Sequence, residues 1–318
     1  MSGPSVTSGD EKRSTAFVLA GGGSLGAVQV GMLKALARKG IVPDFVVGAS
    51  AGAINGAYYA ADPDEAGVAR LERIWRGLRR ADIFPLSLVG SLSWLLGRRD
   101  YLATPASLQA LIESELPYRQ LEQARLPCHI VATDVLDGTE VVFSDGEVVP
   151  ALLASTAIPV IFPTVSIGER HLMDGGVAGN TPISTALHLG ATRVIVLPTG
   201  VPCTLEQPPR GAFAIAVHAL NLLAMRQLRS DVERYSERCE LVVIPSLCPL
   251  AVHAYDFSHT GELIDRAEAA TRLWLRGGLD NRDALTALLP HRHRSAQARI
   301  GATKVLGSTP PSPSQGNP

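Results

Sequence analysis

Apolar residues fall into two kinds of segment along this chain, short unbroken runs and longer stretches with helical spacing. Ala16-Phe-Val-Leu-Ala20 is the first unbroken run, the pattern of a strand buried on both faces. Behind it, Leu25, Val28, Met32, Leu33 and Leu36 recur at helical intervals and predict a helix that Gly40 ends. Phe45-Val-Val-Gly-Ala49 is a second buried run, followed at Ser50 by a small-residue helix over Ala51 to Ala61. Further strands are predicted at His129 to Ala132, Glu140 to Phe143, Arg193 to Leu197 and Leu241 to Ile244. Helices are predicted at 64–80, 105–115, 181–189, 211–236 and 260–276. This alternation predicts an α/β domain around a mainly parallel sheet.

The ends read differently. Residues 1–14 form a polar tail. Residues 291–318 form a second, in which His291-Arg-His-Arg gives way to a Ser/Pro/Gly-rich stretch that cannot build a core. The expected division is a tail over 1–14, a catalytic domain over 15–204, a segment completing the α/β fold over 205–290 and a tail over 291–318. No linker or internal repeat interrupts the middle.

With 46% hydrophobic and 19% charged residues in 318, the chain has apolar material for one large core. That excludes a disordered or collagenous chain. A net charge of -1 offers no global field to recruit nucleic acid. Cys128, Cys203, Cys239 and Cys248 form no C-x-x-C pair and match no zinc spacing, so free thiols in a reducing compartment and no metal are expected. The first residues lack the apolar core of a secretory signal. No run reaches the about 18 apolar residues of a membrane span. The nearest, Ile83 to Leu96 and Ala212 to Met225, are short and carry polar breaks. A cytoplasmic protein is expected, with peripheral membrane contact left open.

Candidate chemistry gathers where strands hand over to helices. Gly48-Ala49-Ser50-Ala51-Gly52 is a G-x-S-x-G that ends a strand and opens a helix, the arrangement a nucleophile elbow requires. Gly48 and Gly52 leave room for the sharp turn, and the helix N-terminus favours alkoxide character at Ser50. An N-capping serine in a glycine-rich turn is the plainer alternative.

Gly21-Gly22-Gly23-Ser24-Leu25-Gly26 also follows a strand and opens a helix. It lacks the Gly-Lys-Ser/Thr ending of a P-loop. As a dinucleotide fingerprint it wants an acid at the far end of the second strand, where Ser50 stands; the nearby acid, Asp44, precedes that strand. An oxyanion hole beside the nucleophile is preferred, because adjacent parallel strands bring both loops to one sheet edge.

Serine also needs a base. His129, His171, His188, His218, His253, His259, His291 and His293 are all candidates, but none lies in a distinctive context. Asp174 in Leu172-Met173-Asp174-Gly175-Gly176 follows a short strand and is the better candidate, although on this motif alone a common Asp-Gly hairpin turn is the stronger reading.

Taken in order, Gly-Gly-Gly-x-x-Gly, G-x-S-x-G and Asp-Gly-Gly on strand ends resemble the patatin-like phospholipase family. Ala154-Ser-Thr-Ala-Ile-Pro-Val-Ile-Phe-Pro163, Ala132-Thr-Asp-Val-Leu-Asp-Gly138 with Val141-Val-Phe143, and Asp256-Phe-Ser-His259 are similar to further family segments. The resemblance covers about residues 15–276. It implies a three-layer patatin-like fold with helices on both faces of the sheet and a C-terminal helical segment. It further implies Ser50 as nucleophile and Asp174, followed by Gly175 and Gly176, as its partner in a Ser-Asp dyad without histidine. Gly21, Gly22, Gly23 and Gly26 would form the oxyanion hole, and no cofactor would be needed. The chain departs from the family in carrying Leu25 where a basic residue is common, which bears on headgroup preference.

A lipid or related ester is the expected substrate, with general ester or thioester hydrolysis, or non-catalytic lipid binding, as alternatives. Arg70, Arg73, Arg76, Arg79 and Arg80 lie close to i, i+3 spacing just before the apolar Ile83–Leu96 stretch containing Phe84 and Trp94. That combination could seat anionic lipid beneath a lid, or be a solvated arginine face followed by a core helix.

Overall fold

The computed structural model describes residues 13–83, 101–201, 203, 207–279 and 288. In chain order its elements are β1 (Thr15–Leu19), α1 (Ala27–Ala37), β2 (Phe45–Ala49), α2 (Ala51–Ala61), α3 (Glu65–Gly77), α4 (Arg80–Ile83) and α5 (Ala106–Glu115). Then come β3 (Cys128–Asp134), β4 (Glu140–Phe143), α6 (Val148–Ser155), β5 (Val165–Ile167), β6 (Arg170–Asp174), α7 (Gly176–Gly179) and α8 (Ile183–His188). β7 (Arg193–Leu197), α9 (Ala212–Tyr235), β8 (Glu240–Val243) and α10 (Thr260–Trp274) follow.

One sheet runs β5-β6-β3-β2-β1-β7-β8, with β4 also paired to β3. β3, β2, β1, β7 and β8 are mutually parallel; β4 and β6 run antiparallel to β3. Period-two alternation sends side chains of each central strand into two cores. Phe17 and Leu19 join one core with α1, α2, α3 and α10. Ala16 and Val18 join the other with Ile183 and Ala186 of α8 and Leu228 and Val232 of α9. Both faces are therefore covered, which is why β1 and β2 carry no polar residue after Thr15.

The unbroken runs appear as strands within a residue or two of their expected bounds. Four of these elements were not expected: the short α4 and α7, α6 and β5. β5 has only three residues, and α6 is apolar on nearly every side, so neither shows a usable period. The predicted helix over 64–80 stops at Gly77, where Leu78 turns extended. Asp174 does not sit in a hairpin turn; it ends β6, and Gly176 opens α7. Asp44 is tied to Thr15 at the start of β1, through Oδ2 to the Thr15 amide at 2.7 Å. That is the sheet edge away from Ser50, so the acid a dinucleotide fingerprint needs is on the wrong side.

Candidate active site

β3 determines where the candidate residues meet. Ile130 and Val131 pair with Gly48 and Ala49 of β2, while the next residue, Ala132, pairs with Asp174 of β6. β4 takes the opposite edge of β3. β2 thus stops where β6 begins, along the same edge. Ser50, one residue past Ala49, comes to rest against Asp174, and Ser50 Oγ donates to Asp174 Oδ2 at 2.6 Å.

Ser50 has φ 54° and ψ -125°, a conformation costing a non-glycine residue about 1–3 kcal/mol. Its surroundings hold it there. Its carbonyl accepts from the Ala53 and Ile54 amides of α2. Its own N–H donates to Ser155 Oγ at 2.9 Å, and Ser155 Oγ donates onward to the Val131 carbonyl at 2.6 Å. A Cβ on Gly52 would stand 2.2 Å from the Leu19 carbonyl, so only glycine lets α2 start this close to β1.

Asp174 is 6% exposed. Burial pushes its carboxyl up to about 6, against the opposing pull of the Ser50 hydroxyl and the Gly176 amide. The Gly176 N–H donates to Oδ1 at 2.7 Å. A carboxylate tuned near 6 is better matched to taking a proton at neutral pH than a free aspartate near about 3.9.

The glycine loop is pinned at both ends. The Gly21 amide donates to the Asn180 carbonyl at 2.9 Å, and the Gly21 carbonyl accepts Thr199 Oγ1 at 2.8 Å. The Ser24 amide donates to the Ala254 carbonyl at 2.8 Å. Between these anchors, the Gly22 and Gly23 amides have no acceptor among the described residues, and both glycines line the cleft with Ser50 and Asp174. Gly23 has φ 56°, and a Cβ there would lie 2.3 Å from the Ala254 carbonyl. The four glycines expected to form the hole therefore divide. Gly22 and Gly23 offer free donors, whereas Gly21 spends its amide on Asn180. Gly26 lies buried beneath, its carbonyl accepting Asn55 Nδ2 at 2.9 Å. Leu25 is fully buried in the core and cannot meet a substrate headgroup.

A buried polar chain supports this loop from below. Trp75 Nε1 donates to Asn55 Oδ1 at 2.7 Å, and Asn55 Nδ2 donates to Gln29 Oε1 at 2.8 Å. Gln29 Nε2 donates to the Ala20 and Leu197 carbonyls, each at 2.8 Å. Sequence reasoning missed Ser155, Gln29 and Asn55. The available signal was a polar residue on an otherwise apolar helix face, which in a buried helix must have a partner.

Among the described residues no histidine is hydrogen-bonded to Ser50 or Asp174. His129 meets Ser144, His171 meets Ser166, and His259 meets Glu262. No group of three His, Cys, Asp or Glu among the described residues could hold a metal ion.

Two clefts converge on Ser50. One is walled by Ile54, Trp75, Leu108, Ile112, Phe162 and Phe257 and is almost wholly apolar. The other lies over Gly22, Gly23 and Asp174 and is bounded by Ile158, Asn180, Leu220 and Tyr255. The arginine row is partly consumed within the chain. Arg70 pairs with Asp62, Arg76 with Glu72 and Asp265, and Arg80 lies over the Tyr255 ring. Of the proposed lid, only Ile83 is described; Phe84 to Leu96, with Trp94, lies outside the described residues, as do His291 and His293. No helix among the described residues is long and apolar enough to cross a membrane.

A family model described as patatin-like phospholipase matches residues 17–187, more than half of the chain. Patatin-like phospholipase domain-containing protein 7 of Rattus norvegicus is 30% identical over 187 residues, which is 58% of this chain and 13% of that protein. An uncharacterized NTE family protein of Mycobacterium tuberculosis is 32% identical over 171 residues, 54% of this chain and 27% of that one. The chain thus spans well under a third of the length of either relative. Among solved structures, VipD from Legionella pneumophila aligns at a TM-score of 0.47 and 14% identity, covering 85% of this chain and 67% of VipD.

Proposed function

This chain belongs to the patatin-like phospholipase family, and we propose that it is a serine lipid acyl hydrolase cleaving carboxylic ester bonds of phospholipids or related lipids. The observation that carries the reading is the 2.6 Å hydrogen bond from Ser50 Oγ to Asp174 Oδ2, beside the Gly22 and Gly23 amides, which have no acceptor among the described residues.

Each step follows from a named group. The acyl chain lies in the apolar cleft and the ester carbonyl oxygen turns toward the Gly22 and Gly23 amides. Asp174 Oδ2 takes the Ser50 hydroxyl proton as Oγ attacks the carbonyl carbon. The two amides donate to the developing oxyanion. Asp174 returns the proton to the leaving alkoxide, and the acyl group remains on Ser50. Water then repeats the sequence, giving its proton to Asp174 and releasing the fatty acid. Ser155 keeps the Ser50 amide occupied and the elbow fixed throughout. No metal or organic cofactor enters any step.

The test is hydrolysis of a mid-chain p-nitrophenyl ester by wild type, Ser50→Ala and Asp174→Asn, each checked for folding by circular dichroism. Both variants should stay folded and lose roughly a thousandfold or more in kcat. A fluorophosphonate should label wild type on Ser50 and leave Ser50→Ala unlabelled. Near-full activity in Asp174→Asn would overturn the dyad; absent labelling and absent hydrolysis in wild type would favour a lipid-binding module. A panel of phospholipids and neutral glycerides then separates phospholipase from general esterase.

A further inference from the structure

The Ala212–Met225 stretch, too short to span a membrane, has a different use. It forms the first half of α9, and from Gly211 to Met225 it carries no charged residue. The second half packs into the core through Leu228 and Val232. The first half leaves Ile215 (54%), Leu222 and Leu223 (60%) exposed. Leu220, on the same helix half, and Val177 both line the cleft over Ser50 and are themselves exposed. Val160, between the cleft-lining Pro159 and Ile161, is exposed as well. Exposed apolar side chains gathered beside a cleft mouth mark a docking site.

We infer that this face, Ile215, Leu222 and Leu223 of α9 with Val160 and Val177, docks the protein on an anionic lipid surface and delivers substrate into the cleft. The charges identify the occupant. The apolar stretch is bounded by exposed Arg210 and Arg226, and exposed Arg80 lies over Tyr255 on the cleft wall. A rim of cations around an apolar helix face complements a layer of anionic headgroups over acyl chains. A second copy fits worse, because a two-fold contact through the same patch sets these arginines against each other and closes the cleft. Gln227 Nε2 donates to the Ala178 carbonyl at 3.2 Å, coupling the docked helix to the segment just after Asp174. Delivery rests on the proposed hydrolase activity; docking does not.

The experiment uses the full chain and separates the two. Sedimentation with phosphatidylcholine vesicles containing phosphatidylglycerol is measured for Ser50→Ala in the background of native or Leu222→Glu/Leu223→Glu α9. The native face should bind, and the doubly substituted face should bind at least about tenfold more weakly. In the active background, the double variant should lose vesicle hydrolysis by a similar factor and keep soluble p-nitrophenyl ester hydrolysis, which also reports that it is folded. Arg226→Glu should weaken binding to anionic vesicles more than to pure phosphatidylcholine. Unchanged vesicle binding by the double variant overturns the inference. So does a wild-type dimer in analytical ultracentrifugation that the double variant converts to monomer. Vesicle binding without any ester hydrolysis would sink the proposed function and leave the docking face standing.

Discussion

Ser155→Ala tests whether the elbow is held or merely present. Ser155 is fully buried, and its hydroxyl bridges the Ser50 amide and the Val131 carbonyl. Removing it leaves a buried N–H without an acceptor, at a cost of about 1–3 kcal/mol. That N–H belongs to a residue held at φ 54°, so part of the loss should appear as freedom of the nucleophile. If the whole of it enters the barrier, kcat falls about 5- to 150-fold, while KM stays within about twofold because Ser155 touches no substrate. The assay is steady-state hydrolysis of a soluble ester alongside urea unfolding. Thr185→Val serves as comparator, since it also deletes a mostly buried hydroxyl contact, to Glu140 Oε2 at 2.7 Å, with no link to Ser50. Ser155→Thr, which keeps the hydroxyl, should restore much of the rate. If Ser155→Ala unfolds at the same lower urea concentration as Thr185→Val but retains wild-type kcat, the positioning argument is refuted and Ser155 is structural only.

Three further outcomes follow from the site. With Asp174 raised to about 6 by burial, kcat/KM for a soluble ester should be flat above about pH 7 and fall as pH drops through 6, because only the carboxylate accepts the Ser50 proton; a rate unchanged from pH 8 to 5 would contradict the base assignment. The same shift has an opposite effect on stability. A raised carboxyl binds its proton more tightly when folded, so its contribution is greatest below about pH 4 and is lost as pH rises through 4 to 6. Asp174→Asn should therefore be inactive yet gain Tm relative to wild type at pH 7.5, with the gain shrinking at pH 4; comparison with the variant is needed because Asp231, also raised to about 6 by burial, titrates in the same window. Ile112, fully buried at the wall of the apolar cleft, sets its depth, so Ile112→Trp should shift preference among p-nitrophenyl esters toward shorter chains by about tenfold, read as the ratio of kcat/KM for long and short chains.

The sequence by itself determined the alternating α/β architecture and supplied Ser50 and Asp174 as candidates. Doubly buried strands must be apolar without a break, and that requirement is written locally in Ala16–Leu19 and Phe45–Ala49. Glycines at a strand-to-helix turn are equally local, because a missing Cβ is demanded by the backbone atoms next to it. Pairing is another matter. Ser50 and Asp174 meet only because β2 and β6 share one edge of β3, end to end, with Val131 and Ala132 as consecutive partners. Nothing in either motif encodes that register, and on its own motif Asp174 read better as a turn residue. The roles of Ser155, Gln29 and Asn55 were hidden for the same reason. Each satisfies a backbone or side-chain group far away in sequence, so the partner exists only after the sheet and helices have assembled. Burial also raised Asp174 toward neutrality, a property of the packed environment that no residue carries alone. Residue type fixed what chemistry was available; tertiary structure fixed which groups could reach each other, and in what protonation state.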